Sequence, residues 1–178
     1  MRTKFRIQRR SGTAIAEAPV AIWFAILALF FPLLCLATIT LRYAFMVTAA
    51  HEAAYQAAVS KTFSTDVSST DLCAINSADA TAKKVAGSFS GITVTNVTTR
   101  ILQSDTTSNA LQVHNQALNT PADTTRYVYL LETTIDGQVQ PLILGHSAIF
   151  QDIPGLTGPM TVQVSSRKLA ENPQGLNL

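Results

Sequence analysis

From Ala18 through Leu41 the chain carries no Asp, Glu, Lys, Arg, His, Asn or Gln. As a helix rising about 1.5 Å per residue, that stretch reaches roughly 36 Å, enough to cross a hydrocarbon core of about 30 Å with some tilt. Arg2, Lys4, Arg6, Arg9 and Arg10 precede it with no acidic residue among them, and Arg42 follows. The excess of positive charge places the N-terminus in the cytoplasm and residues from about 43 onward outside. A cleavable secretory signal has a shorter apolar stretch followed by a small-residue site. Here Arg42 and Tyr43 separate the run from Val47-Thr48-Ala49, so the chain is expected to stay in the membrane.

The charge distribution narrows the function classes. Of 13 Lys/Arg and 11 Asp/Glu, five basic residues lie in the first ten positions, and the part after Leu41 is slightly acidic. The basic arm is therefore local to the membrane boundary and indicates no nucleic-acid contact. Cys35 falls mid-membrane, where a thiol acts as a small apolar group. Cys73 has no intrachain partner on its side and reads as a free thiol, with an intermolecular bridge as the alternative. His51, His114 and His146 are scattered without metal-ligand spacing, so no metal or other cofactor is expected. No phosphate-binding glycine loop, paired-Cys motif or nucleophile elbow occurs, which argues against an enzyme. Asp66-Val67-Ser68-Ser69-Thr70 has the letters of the Asp-x-Ser-x-Ser/Thr metal motif of von Willebrand A domains, but lacks the preceding strand and the length. Asn96-Val97-Thr98 fits a glycosylation acceptor pattern that also occurs by chance.

The junction Arg9-Arg10-Ser11-Gly12-Thr13-Ala14-Ile15-Ala16-Glu17-Ala18-Pro19 sets a lone glutamate at the mouth of the apolar run, five residues after a glycine. A carboxylate there is costly and calls for a partner. Cutting after Gly12 would create an amino group at Thr13 that a neighbouring copy could offer to Glu17, neutralising both charges. This arrangement resembles the type IV prepilin processing signal. The resemblance implies Gly12 before the cut, Thr13 as the mature N-terminus and Glu17 as the residue that assembles subunits. More specifically, residues 9–60 resemble the TadE-like pseudopilins, minor subunits of tight-adherence (Flp-type) pilus machinery. Ala18-Pro19 departs from the bulky residues that often follow the glutamate in that family. The implied partners are a prepilin peptidase, sister pilin-like subunits, an inner-membrane platform protein and a secretion ATPase, all at a bacterial inner membrane.

The expected fold class is α+β: a long N-terminal helix, transmembrane and then extramembrane, followed by a small antiparallel sheet. The domains read as a leader over 1–12, a transmembrane helix over 13–41, an Ala-rich helix over 42–61 and an outer domain over 62–178. Pro19 is harmless in the first helical turns, whereas Pro32 is expected to kink the helix or leave a carbonyl free. Ala49, Ala53 and Ala57, and Ala50, Ala54 and Ala58, repeat every four residues and form a small-residue face. That face suits close packing against a sister subunit or the chain's own outer domain, and alanine's helix propensity alone would also produce it. His51, Glu52, Tyr55 and Gln56 lie opposite.

Beyond a polar linker at 60–71, Asp71 is expected to cap a helix over 72–86 that stops at Gly87. Strands are expected at 92–98, 127–134, 138–144 and 161–166, with Asp136-Gly137 as a hairpin turn. Residues 103–124 read as a loop, and the tail from Asn172 as loose. Two function classes remain: a pilin-like structural subunit, and a membrane-anchored binding or signalling module that is not processed.

Overall fold

The computed structural model describes residues 13–142, 153–155 and 158–178, with the backbone alone over 13–17. The leader 1–12, with Gly12, and also His146 lie outside the described residues. One helical rod runs from Thr13 to Val59: α1 (Thr13–Ala25), a wide turn (Ile26–Phe30) and α2 (Phe31–Val59). The fold is α+β, with a four-stranded antiparallel sheet after the rod. Pro32 explains the wide turn. It has no N–H to give to the preceding turn, and the Phe31 N–H reaches five residues back to the Ile26 carbonyl, a π-type bond. The helix thus absorbs the proline by locally widening. Pro19 sits inside α1, further in than its expected place in the opening turns.

After α2 the chain forms α3 (Ala74–Gly87), β1 (Ile92–Asp105), β2 (Leu111–His114), β3 (Tyr127–Val139) and β4 (Met160–Leu169). The strand order is β2-β1-β3-β4. Both helices lie on one face of the sheet, and the core fills the space between. Its largest fully buried side chains include Phe63, Met46, Ile101, Leu131 and Ile135. Where α2 meets α3, Ala49, Ala50, Ala53 and Ala57 share the core with Ala74, Ala78, Ala82 and Ala86. Two rows of methyl groups spaced by four residues let the helix backbones come close, where larger side chains would hold them apart.

Several sequence expectations need correction. Asp136-Gly137 is not a turn: β3 runs straight through it, with Gly137 paired to Val94 on one side and Val162 on the other. The glycine is required for clearance. A Cβ there would lie 2.6 Å from the Thr93 carbonyl oxygen and 2.9 Å from Met46 Cε. Opposite it, β1 bulges between Val94 and Asn96, and the Thr95 hydroxyl donates to the Asp136 carbonyl at 2.9 Å. The bulge also explains an irregular alternation: the spare residue between Val94 and Val97 lets both pack against the core.

The stretch 103–124 is not all loop, because β1 extends to Asp105 and turns into β2. The Asp105 carboxylate builds that turn by accepting from the Thr107 and Ser108 N–H groups at 2.8 and 3.0 Å. Asp71 does not cap α3. That helix begins after Cys73, whose N–H donates to Asp66 Oδ1 at 2.7 Å, while Asp71 pairs with Lys61. Nor is the tail loose. The Leu118 N–H donates to the Leu176 carbonyl, those of Phe63 and Ser64 to the Leu178 carbonyl, and Leu176 is only 3% exposed. The short apolar end plugs the gap between the α2–α3 connection and the loop before β3.

Gly137→Ala is expected to cost about 1–3 kcal/mol of stability, as overpacking generally does. Denaturant unfolding of the single and double variants checks the cause. Coupling to Met46→Ala identifies the methionine as the obstacle, and additive losses identify the Thr93 carbonyl instead.

Candidate functional site

Three surfaces of the rod and sheet can carry function: the apolar half of the rod, the collar where the rod enters the domain, and the open face of the sheet. Ala18–Val59 contains the one stretch among the described residues that is long and apolar enough to cross a membrane. Its large side chains point outward: Trp23, Phe24, Leu27 and Leu29 are each at least 64% exposed. Trp23 and Tyr43 stand near the two ends, about 30 Å apart along the axis, the thickness of a hydrocarbon core. Aromatic side chains with one polar atom favour both water–lipid boundaries. The two hydroxyls inside the stretch are satisfied locally. The Thr38 and Thr40 hydroxyls donate to the Leu34 and Leu36 carbonyls at 2.8 and 2.9 Å, so neither needs water. Thr13 and Glu17 lie on α1, and nothing further is described of their side chains.

The alanine face of α2 has an occupant. Ala49, Ala50, Ala53, Ala54, Ala57 and Ala58 are at most 3% exposed, covered by α3 and the sheet of the same chain. A second subunit cannot reach these residues without displacing the domain. His51, Glu52 and Tyr55, on the other side of α2, are exposed.

At the collar, Arg42 ties rod to sheet. Its Nη1 donates to the carbonyls of Gln140 and Pro141, the latter at 2.9 Å. The guanidinium lies flat against Gly91, whose φ of 78° belongs to the left-handed region and whose missing side chain leaves room for it. One turn further along, Phe45 stacks on Phe89 with ring centroids 3.6 Å apart. A residue that in sequence marks only the end of an apolar run is therefore also a structural clamp.

The sheet face away from the helices carries an ion cluster and an apolar row. Arg100, Glu132 and Arg167 stand side by side across β1, β3 and β4. Glu132 is 1% exposed and accepts from Arg100 Nε and, at 2.6 Å, from Arg167 Nε. Burial alone pushes the Glu132 carboxyl up, but the two guanidinium hydrogen bonds outweigh it and hold the group below its ordinary value. One step along the strands, Val113, Leu102, Leu130 and Leu169 line up across all four strands, with Val113 and Leu169 49% and 61% exposed. Neither row can be read from the sequence, because each depends on strand register. The available signal is weaker: period-two alternation puts Glu132 on the face opposite Leu131.

The remaining candidates are structural. Cys73 is buried at the start of α3, and burial pushes its thiol up, with the neighbouring Asp66 carboxylate adding to the effect. That disfavours both thiolate chemistry and an intermolecular bridge. Asp66, from the von Willebrand-like stretch, accepts from the Cys73 N–H and from Asn76 Nδ2, which draws its carboxyl below the ordinary value. It braces α3. The His114 ring sits on Gln103 Oε1 at 2.8 Å within the β1–β2 pair. Among the described residues, no three His, Cys, Asp or Glu side chains gather into a metal-binding group.

Glu132, Asp105 and Asp66 all have carboxyls lowered in the folded state. Each stabilises the fold above its unfolded pKa of about 4, and that contribution is lost as pH falls through the lower folded value. Stability measured by denaturant titration should therefore decline below about pH 5. Glu132→Gln should cost about 2 kcal/mol at neutral pH, as loss of hydrogen bonds to a charged group does, and should flatten that acid-side decline. An unchanged pH slope would show that the cluster does not contribute. Comparison with protein-family models, curated proteins and solved structures finds no match for this chain.

Proposed function

We propose that the protein is a minor pilin-like structural subunit, of the TadE-like kind, in a tight-adherence pilus or a related secretion pseudopilus. One observation carries the reading: a single rod from Thr13 to Val59 supplies both the apolar segment and the spine of the sheet domain. A membrane anchor that merely tethers a module has no need to enter that module's core. A subunit that transmits position from membrane to filament does, because movement of the rod must carry the domain with it. The Arg42 clamp and the alanine seam make the two parts move together. The domain lies on the extracytoplasmic side, following the basic arm before the rod.

In this reading the peptidase cuts between Gly12 and Thr13, and Glu17 takes up the Thr13 amine of a neighbouring copy. The platform protein and secretion ATPase of the machinery then lift the subunit out of the membrane. Because its own domain covers the alanine face, contacts between subunits fall to the exposed apolar part of the rod and to the open sheet face. The apolar row Val113–Leu102–Leu130–Leu169 offers its exposed ends, Val113 and Leu169, to such a contact, with Leu102 already buried between them, since exposed apolar patches mark interaction surfaces.

Intact mass and N-terminal sequence of protein from membranes, with and without a prepilin peptidase, test the reading. The expected mature chain starts at Thr13 in a peptidase-dependent manner. Glu17→Ala should leave cleavage intact and abolish incorporation into filaments. A chain still starting at Met1 beside an active peptidase overturns the proposal and leaves an anchored module.

A further inference from the structure

We infer that the base of the sheet domain is a lipid-contacting foot, with Leu142 and Ile153–Pro154 set into the outer surface of the membrane that the rod crosses. The inference rests on the membrane span of the proposed function and is independent of processing. It starts from depth. Side chains of a helix lean toward its N-terminus, so the Arg42 guanidinium reaches back toward the apolar segment. There it holds the carbonyls of Gln140 and Pro141 and lies on Gly91. These three residues form the lower rim of the sheet, and Leu142 follows directly at 51% exposure.

Residues 153–155, which precede β4, go lower still. Gly155 rests on Ile39: a Cβ on the glycine would lie 3.2 Å from Ile39 Cδ1. Ile39 is about 4.5 Å below Arg42 and about 6 Å below Tyr43 along the helix axis. If Tyr43 marks the headgroup boundary, Gly155 sits at the depth reached by interfacial segments, about 5–10 Å into that layer. Ile39 is only 7% exposed, whereas Leu36 and Leu41, on other sides of the same helix, are 55% and 58% exposed. The rod is covered on the side facing the domain and bare elsewhere, as a helix beside a partly inserted foot should be.

The chemistry of the tip fits lipid better than water or a second protein. Ile153 is 44% exposed and Pro154 is exposed beside it. Two backbone N–H groups of the described tip are satisfied locally: that of Gly155 donates to the Gly158 carbonyl at 2.9 Å, and that of Gly158 to the Ile153 carbonyl at 3.1 Å. Pro154 and Pro159 bring no N–H at all. The Gln140 N–H is held by the Gly91 carbonyl at 2.8 Å. Backbone entering the apolar boundary of a bilayer must meet this requirement. Burying two large apolar side chains contributes favourably, and the rod already holds them at the surface, so little further ordering opposes it. The foot would fix the tilt of the domain on the membrane.

Depth-dependent fluorescence quenching tests this on the full chain in vesicles of phosphatidylethanolamine and phosphatidylglycerol with acyl chains brominated near the headgroup. Trp23, the single tryptophan, reports the span in the unaltered chain. In a Trp23→Phe background, Leu142→Trp and Ile153→Trp report the foot separately, and Leu111→Trp reports the strand at the sheet's far edge. Circular dichroism matching the unaltered chain qualifies each variant. The expected result is blue-shifted emission and loss of most intensity for positions 142 and 153, with Leu111→Trp unaffected. Water-like, unquenched emission at 142 and 153 beside a quenched Trp23 overturns the foot and leaves the span standing. Quenching at position 111 as well overturns it too, since the domain would then lie on its side. An unquenched Trp23 removes span and foot together.

Discussion

The close approach of α2 and α3 through facing alanines is the constraint on which the other contacts depend. Ala49, Ala53 and Ala57 on one helix and Ala74, Ala78, Ala82 and Ala86 on the other leave no side chain long enough to hold the backbones apart. Each methyl group buries little apolar area, so the seam is specific more than it is strong. Its main effect is geometric: with the helices this close, both fit on one face of a small sheet, and Met46, Phe63, Leu131 and Ile135 fill the remaining space. The absence of a side chain at Gly137 belongs to the same geometry, because Met46 of the rod occupies the space that a Cβ would need.

From this follows the relation between the apolar segment of the rod and the domain. A rod that ended with its apolar segment and connected by a flexible linker would let its domain tumble. Here the polar stretch after the rod, residues 60–71, does not separate the two parts but folds back. Phe63 enters the core, Asp66 braces α3, and the chain's last residues close over the connection. The collar at Arg42 completes the joint from the lower side. A charged residue after an apolar run ends that run, and this one also orients the sheet by holding the carbonyls of Gln140 and Pro141, just past the end of β3.

Legibility differed with the range of the interaction. The rod, the proline that perturbs it, the alanine repeat and the stop of α3 at Gly87 were all legible, because each is a property of neighbours within a turn or two. Asp136-Gly137 misled for a specific reason: the pair is a turn former when nothing else constrains it, but here a bulge in β1 and a methionine from α2 make the glycine a packing element. The role expected of Asp71 falls to Asp66, because the start of a helix can be braced from a loop folded over it as readily as by a residue just before it. The tail read as loose from composition alone, since its binding surface comes from segments more than fifty residues earlier in the chain.

By itself the sequence determined that a helix long and apolar enough to span a membrane leads into a polar α+β domain, because length, charge and periodicity are local quantities. Tertiary structure alone decided which surfaces stay open. It assigned the alanine face to the chain's own α3 and sheet, placed Glu132 between Arg100 and Arg167, aligned four apolar residues across the open face, and lowered Gly155 onto Ile39. Each of these depends on strand register or on contacts between distant segments. Alternation of polar and apolar residues says which side chains of one strand share a face, but which partners they meet on the neighbouring strands is set by the pairing register and not by any one strand's sequence.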